Sequence, residues 1–202
     1  PVPAPGAKSV VPGLSRPGGN TTGFGVCDHG MGGKWLQLLK EVAPRLKRVF
    51  VLMSVRNPNW PGWRHALESA APSLGLQVEH IELTDPAQIE PAISMFARKP
   101  NGGLLVLPDP FLAQRETIVA LAAKHRLPAI YGVNTFTNLG GLISYGIDQA
   151  DIARRAASYV DRILNGETPG EHPLQQPHKS TLTTPPVPPT HPRRPNPSSL
   201  PV

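Results

Sequence analysis

The chain has 202 residues, which is enough for one domain with a sizeable core, or for one domain and part of another. Its net charge of +6 comes from Lys and Arg residues scattered among acidic ones, and without a basic cluster the sequence favours no nucleic-acid partner. A single cysteine excludes an intramolecular disulfide and a cysteine-rich zinc site, and no stretch approaches the ~20 apolar residues of a membrane helix.

Residues 1–25 are dense in Pro and Gly, which is typical of a connector. Apolar residues then recur at helical spacing over residues 31–42, which predicts an amphipathic helix with Met31 and Trp35 in the core. Cys27 lies just before this helix beside Asp28 and His29. Sequence adjacency does not place a base on a nucleophile, so we expect Cys27 to be a buried structural thiol.

Apolar strands alternate with helix-length stretches through the middle of the chain. This order predicts parallel βαβ units, and therefore an α/β fold in which an open parallel sheet carries helices on both faces, as in Rossmann-like and flavodoxin-like domains. Such sheets bind ligands beyond the carboxyl ends of their strands. The predicted strands are residues 48–53, 76–83, 103–107, 128–131 and 141–145.

The loop after the first strand is long and polar. Asn57 and Asn59 in this loop precede a predicted helix, whose free N–H groups and dipole favour an anion. Two hypotheses remain open for these residues: they help to bind a carboxylate, or each only caps its own turn.

Two aspartates follow strands further along the chain. Asp85 precedes Pro86, a pair typical of a helix N-cap and first turn. Asp109 lies between two prolines after the most apolar strand, where a fixed carboxylate suits an ammonium group. The alternative, slightly favoured by the sequence, is that Asp109 caps the next helix.

Aromatic and amide side chains follow the last two predicted strands. Tyr131 and Tyr145 each combine an apolar face with a hydroxyl, which suits the lining of a half-wet pocket, although packing at a loop base is the alternative. Asn134 and Phe136 follow Tyr131 in the same loop. A further helix is predicted from Asp148 to Gly166, and the Thr- and Pro-rich residues from about 173 onwards predict disorder.

Several catalytic and cofactor motifs are missing from the sequence. It has no P-loop, no dinucleotide fingerprint after a strong strand, no Gly-x-Ser-x-Gly elbow and no His-Glu-x-x-His. Its seven histidines are dispersed. The sequence therefore predicts neither an enzyme nor a bound metal or cofactor.

Six segments, in this order, resemble one family, the ABC transporter substrate-binding proteins, over residues 5–179. They are Leu14-Ser-Arg-Pro-Gly-Gly-Asn-Thr-Thr-Gly23, Trp35-Leu-Gln-Leu-Leu-Lys-Glu-Val-Ala-Pro44, Leu105-Val-Leu-Pro-Asp-Pro-Phe111, His125-Arg-Leu-Pro-Ala-Ile-Tyr131, Gly140-Gly-Leu-Ile-Ser-Tyr-Gly146, and the helix Arg154-Arg-Ala-Ala-Ser-Tyr-Val-Asp-Arg-Ile-Leu-Asn-Gly166 with Pro173-Leu-Gln-Gln-Pro177. The resemblance implies a type I periplasmic-binding fold, in which two lobes close on a small solute such as an amino acid. It also implies an extracytoplasmic protein that is recognised by an ABC permease.

The resemblance implies a division of this chain. Residues 1–25 are expected to be a remnant of the first lobe with a hinge connector, residues 26–145 the second lobe, residues 146–172 the hinge return with a first-lobe helix, and residues 173–202 a disordered Pro-rich tail. Against the family pattern the chain is expected to be truncated at its N-terminus, and a reading-frame change would produce such a tail. Half the cleft would then be absent, and solute affinity weak or lost.

Within the remaining lobe, the resemblance places the loops after the strands at the cleft. Asp109 is the candidate for a solute ammonium, and the asparagine side chains with nearby helix N-termini are candidates for a carboxylate. Tyr131 or Phe136 is expected to pack on an apolar group of the solute. The full candidate set is Asn57, Asn59, Asp109, Tyr131, Asn134, Phe136 and Tyr145.

Two other classes of function compete with a solute receptor. A small flavodoxin-like enzyme domain using Asp109 as acid or base would need a second titratable group in the cleft. A sensor domain of a transcription regulator would need a preceding DNA-binding helix-turn-helix. These residues contain neither signal.

Overall fold

The computed structural model describes residues 13–54, 56–81, 83–109 and 114–185. The predictions for residues 1–12 and 186–202 lie outside the described residues. Within them, five α-helices and six strands follow in this order: α1 (Met31–Val42), β1 (Arg48–Leu52), α2 (Trp60–Ala70), β2 (Gln77–His80), α3 (Ile89–Phe96), β3 (Gly102–Val106), α4 (Arg115–Lys124), β4 (Ala129–Tyr131), β5 (Ile143–Ile147), α5 (Gln149–Leu164) and β6 (Ser180–Thr183).

The sheet has six strands in the order β2-β1-β3-β4-β5-β6. The first five are parallel, and β6 pairs with β5 in the antiparallel sense. The predicted α/β class with a parallel sheet is therefore confirmed. The chain runs from β1 outward to β2 and then returns to the other side of β1, so the strand order reverses between β1 and β3.

Alternate residues of the central strands pack on opposite faces of this sheet. Val49 and Leu105 contribute to a core that also contains Trp35 of α1 and Leu67 of α2. Phe50, with Leu104 and Val106, contributes to a second core that contains residues of α3 and α4. Helices thus cover both faces, as the uninterrupted apolar strands predict, because strands buried on two sides have no polar face.

Local sequence signals for helix ends are mostly confirmed. Helix α1 spans the predicted residues 31–42. Asp85 forms the predicted cap: its side chain accepts a hydrogen bond from the Ala87 N–H, and Gln88 completes a capping box. Asp148 caps α5 through the Asp151 N–H. Gly166 follows α5 with a φ of 100°, a left-handed conformation that glycine adopts without steric cost.

The prediction of disorder from residue 173 is wrong for residues 173–185. Leu174 is buried, and Gly25 and Gln175 pair through a 2.7 Å bond from the Gly25 N–H to the Gln175 carbonyl. Residues 180–183 form β6, an edge strand that pairs along one side with β5. The composition of this segment shows that it has few apolar side chains. A strand at a sheet edge can still form, because its pairing depends on backbone groups and not on apolar side chains.

Helix α5 buries little of its apolar surface. Only Tyr159 among its 16 residues is buried, whereas Val160 is 56% exposed and Leu164 82% exposed. None of the helices in the described part of the chain has both the length and the apolar content required to cross a bilayer.

Candidate functional site

The loops that follow β1 and β3 meet where the strand order reverses. A crevice opens at this kind of point in α/β sheets, because the two loops leave toward helices on opposite faces. Here residues 53–54 and 56–59 lie between β1 and α2, and residues 107–109 follow β3. The first loop carries several side chains capable of hydrogen bonding, and the second carries the carboxylate of Asp109.

A cavity of about 410 Å³ lies between these two loops, within the range of small-molecule sites. Its wall combines apolar side chains and prolines with two amides, a guanidinium and a carboxylate. The lining residues are Val26, Arg56, Asn57, Pro58, Asn59, Trp63, Pro108 and Asp109. Three of the predicted site residues, Asn57, Asn59 and Asp109, are therefore brought together.

Asp109 bonds to the loop after β1. Its Oδ2 accepts the Ser54 N–H at 3.0 Å and an Nδ2 hydrogen of Asn57 at 3.2 Å. The hypothesis that Asp109 caps the next helix is wrong, because α4 begins at Arg115 with Gln114 at the N-cap position. Sequence proximity to a helix suggested the cap, but the carboxylate turns to the neighbouring strand's loop.

Asn57 is only 7% exposed and uses both ends of its amide within the protein. Nδ2 donates to the Pro108 carbonyl at 3.1 Å as well as to Asp109, and Oδ1 accepts the Asn59 N–H at 3.0 Å. The bond to Asn59 is the turn-capping interaction that one sequence hypothesis proposed. Asn59 stands at the N-cap position of α2 but makes no side-chain capping bond, and its buried Oδ1 has no partner within the described residues.

Asn134 and Tyr145 lie away from this cavity. Asn134 is exposed and lines a separate pocket of about 240 Å³ at the start of α5. Tyr145 is half-buried beside the core that contains Trp35, and its carbonyl accepts the Trp35 Nε1 hydrogen at 2.6 Å. Their contact with a solute stays a prediction.

The rings of Tyr131 and Phe136 stack on each other in the core. Their ring centroids are 4.5 Å apart at 12°, and the two side chains are 1% and 0% exposed. Burial also raises the pKa of the Tyr131 hydroxyl to about 12. The two rings make the aromatic packing that was the alternative for Tyr131, and neither residue lines the cavity between the β1 and β3 loops. Their contact with a solute stays a prediction.

Five residues of the cavity wall were not identified as candidates from the sequence: Pro58, Pro108, Arg56, Trp63 and Val26. Arg56 lies in the same loop as Asn57, and Trp63 lies one turn into α2, with its Nε1 donating to the Asp28 carbonyl at 3.3 Å. Val26 comes from the connector before α1. The position of Arg56 in the loop after a strand could have identified it as a candidate. The presence of Trp63 and Val26 in the cavity wall depends on how distant segments pack, which the sequence does not show.

Cys27 is expected to resist alkylation at neutral pH while the protein is folded. It is 3% exposed, and burial, with a contribution from the neighbouring Asp28 carboxylate, raises the pKa of the thiol from its ordinary 9.0 to about 11. Since the thiolate is the reactive form, iodoacetamide labelling followed by mass spectrometry should be slow in buffer and fast in urea. Equal rates in the two conditions would show that the thiol is accessible in the folded state.

The fold is shared with solved structures of low sequence identity. A conserved domain protein from Vibrio cholerae matches with a TM-score of 0.77 and 24% identity, over 89% of this chain and 60% of that one. An ABC domain in complex with L-Trp from Streptococcus pneumonia matches with a TM-score of 0.74 and 24% identity, over 89% and 62%. A substrate-binding protein with adhesive properties from Clostridium difficile matches with a TM-score of 0.67 and 24% identity, over 90% and 61%.

The chain thus spans about three fifths of the length of these proteins. No curated protein matches its sequence. The sequence model of one family, ABC transporter substrate binding protein, matches residues 3–184. Because that match covers most of the chain and the fold agrees with type I periplasmic binding proteins, the chain belongs to the ABC transporter substrate-binding protein family.

Proposed function

We propose that this chain binds a small solute of the amino-acid type in the cavity between the β1 and β3 loops, as the receptor component of an ABC importer. The observation that carries the proposal is the composition of that cavity. It combines a guanidinium and the Asn59 amide with apolar side chains at the point where the strand order reverses. The family match favours this function over a regulator's sensor domain or a flavodoxin-like enzyme domain.

The cavity wall suits a solute that carries both a carboxylate and an apolar group. The Arg56 guanidinium carries a positive charge and several N–H donors in a planar arrangement that matches a carboxylate. Trp63, Val26 and the two prolines offer apolar contact surface for a side group. The complex of the Streptococcus protein with L-Trp supports an aromatic amino acid as the first solute to test.

Import requires no covalent step from the receptor. A solute that makes more contacts in one conformation shifts the population toward it, and a membrane permease can then recognise that state. An extracytoplasmic location and a permease partner follow from the family's role, and both are parts of this proposal.

The proposal is tested by screening the purified chain against the twenty amino acids by thermal shift, with calorimetry for any that stabilise it. Stabilisation should grow with concentration as RT ln(1 + [L]/Kd). Arg56→Gln should weaken binding by about tenfold or more, since a hydrogen-bonded charge is lost. Arg64→Gln is the matched control, because Arg64 is exposed on α2, pairs with Glu68 and lies outside the cavity lining.

Two results would count against this function. Silence of a cooperatively folded sample toward all amino acids would overturn the assignment of the solute class. Equal losses of affinity in Arg56→Gln and Arg64→Gln would place the bound solute outside this cavity.

A further inference from the structure

A network of hydrogen bonds holds the loop after β1 in one shape and ties it to the end of β3. Inside the loop, the Asn57 N–H donates to the Ser54 carbonyl at 3.0 Å, and the Arg56 N–H donates to Ser54 Oγ at 3.1 Å. Asn57 continues the network by accepting the Asn59 N–H at Oδ1 and the Trp60 N–H at its carbonyl, each at 3.0 Å. Together these bonds hold Ser54 and residues 56–60 in one turn.

Side-chain hydrogen bonds connect this turn to the residues that follow β3. They join Asp109 to Ser54 and Asn57, and Asn57 to the Pro108 carbonyl. Asp109 is half-buried and takes two donors from two different residues of the turn on one oxygen, Oδ2. Ser54, which supplies one donor, is itself buried. Bonds to an ionised carboxylate are stronger than bonds between neutral groups, so Asp109 is the strongest anchor in the network.

We infer that Asp109 is a positioning residue whose hydrogen bonds fix the loop carrying Arg56 and Asn59 in the cavity wall, and that its main role is this and not pairing with a solute ammonium. The inference deepens the proposed function and rests on it only for its effect on solute affinity. A shape-setting role requires acceptor atoms in the correct place, whereas an ammonium partner requires a negative charge.

Substitution of Asp109 by asparagine distinguishes the positioning role from the role of ammonium partner. Asp109→Asn keeps an oxygen that can accept both the Ser54 N–H and the Asn57 amide, but removes the charge. Asp109→Ala removes both. Asn57→Ala removes one of the two bonds to Asp109, together with the Asn57 bonds to the Pro108 carbonyl and the Asn59 N–H, and leaves the Asp109 side chain in place. It is the second variant if Asp109→Ala does not fold.

The first measurement is hydrogen–deuterium exchange of peptides covering residues 54–60 in the full chain. Opening of this turn should speed exchange by about tenfold in Asp109→Ala and Asn57→Ala. Exchange in Asp109→Asn should stay within about threefold of the unmodified chain. Asp161→Ala, which removes an exposed carboxylate on α5, is the control and should leave this segment unaffected.

The second measurement is the affinity for whichever amino acid binds the unmodified chain. Asp109→Ala should lose about tenfold, and Asp109→Asn should recover most of that loss. The inference is overturned if Asp109→Ala leaves exchange unchanged, or if Asp109→Asn loses as much affinity as Asp109→Ala while its loop stays protected. If the unmodified chain binds no amino acid, the proposed function fails, and the exchange measurement still decides the role of Asp109.

Discussion

Trp35→Ala is expected to lower the free energy of unfolding by about 3–5 kcal/mol, the range for removing a large buried aromatic side chain. Trp35 is fully buried between α1 and the sheet, and its ring contacts Trp63 edge-on at a centroid distance of 6.0 Å. Truncation leaves a cavity in the core that also contains Val49, Leu67 and Leu105. It also leaves the Tyr145 carbonyl without its donor.

Urea denaturation monitored by circular dichroism measures this effect. Trp35→Phe should cost less than alanine, since it refills most of the volume and loses the Nε1 hydrogen bond, which is worth about 1–3 kcal/mol when the acceptor stays buried. Trp60→Ala is a matched control, because Trp60 is only half-buried. A loss from Trp35→Ala no larger than that from Trp60→Ala would contradict the assignment of Trp35 to the core.

Gly146→Ala is expected to destabilise the chain by about 3 kcal/mol, at the upper end of the usual cost of overpacking. A Cβ at Gly146 in β5 would meet the carbonyl oxygen of Gly132 just after β4. That atom belongs to the backbone, so no side-chain rotation relieves the contact. Gly146 also pairs with Thr181 of β6, which limits movement of β5 in the other direction.

Gly33→Ala provides the opposite case on the same molecule. Its Cβ would lie 3.4 Å from the Ala70 Cβ, close to an ordinary contact, and alanine in a helix interior is favoured over glycine by about 1 kcal/mol. Thermal unfolding should therefore show a lower midpoint for Gly146→Ala and an unchanged or higher one for Gly33→Ala. Equal shifts in the same direction would show that contact with Gly132 is not the cause.

Features encoded by short segments could be predicted from the sequence. Helix α1 follows from an apolar stripe with a Pro after its end, and the Asp85 cap from two adjacent residues. The parallel sheet follows from the alternation of strands and helices. In each case the determining interactions join residues only a few positions apart, or follow from a general rule of chain connection.

Features set by distant segments could not be predicted. Asp109 bonds across 55 residues to Ser54, so its neighbours in sequence suggested a helix cap that the structure does not contain. Tyr131 has an amphipathic side chain and Phe136 an apolar one, and both are buried in the core that also contains residues of α3 and α4. Strand β6 has almost no apolar side chains and forms through backbone hydrogen bonds. A search for hydrophobic patterns therefore does not detect it.

The exposed apolar side of α5 gives the isolated chain an unusual response to salt. At low ionic strength the net charge of +6 keeps copies of the chain apart. Added salt screens that repulsion, and an excluded anion such as sulfate also strengthens attraction between the exposed Val160 and Leu164 surfaces. Both effects act in the same direction, so the colloidal stability of this chain falls with sulfate more steeply than its charge alone would dictate.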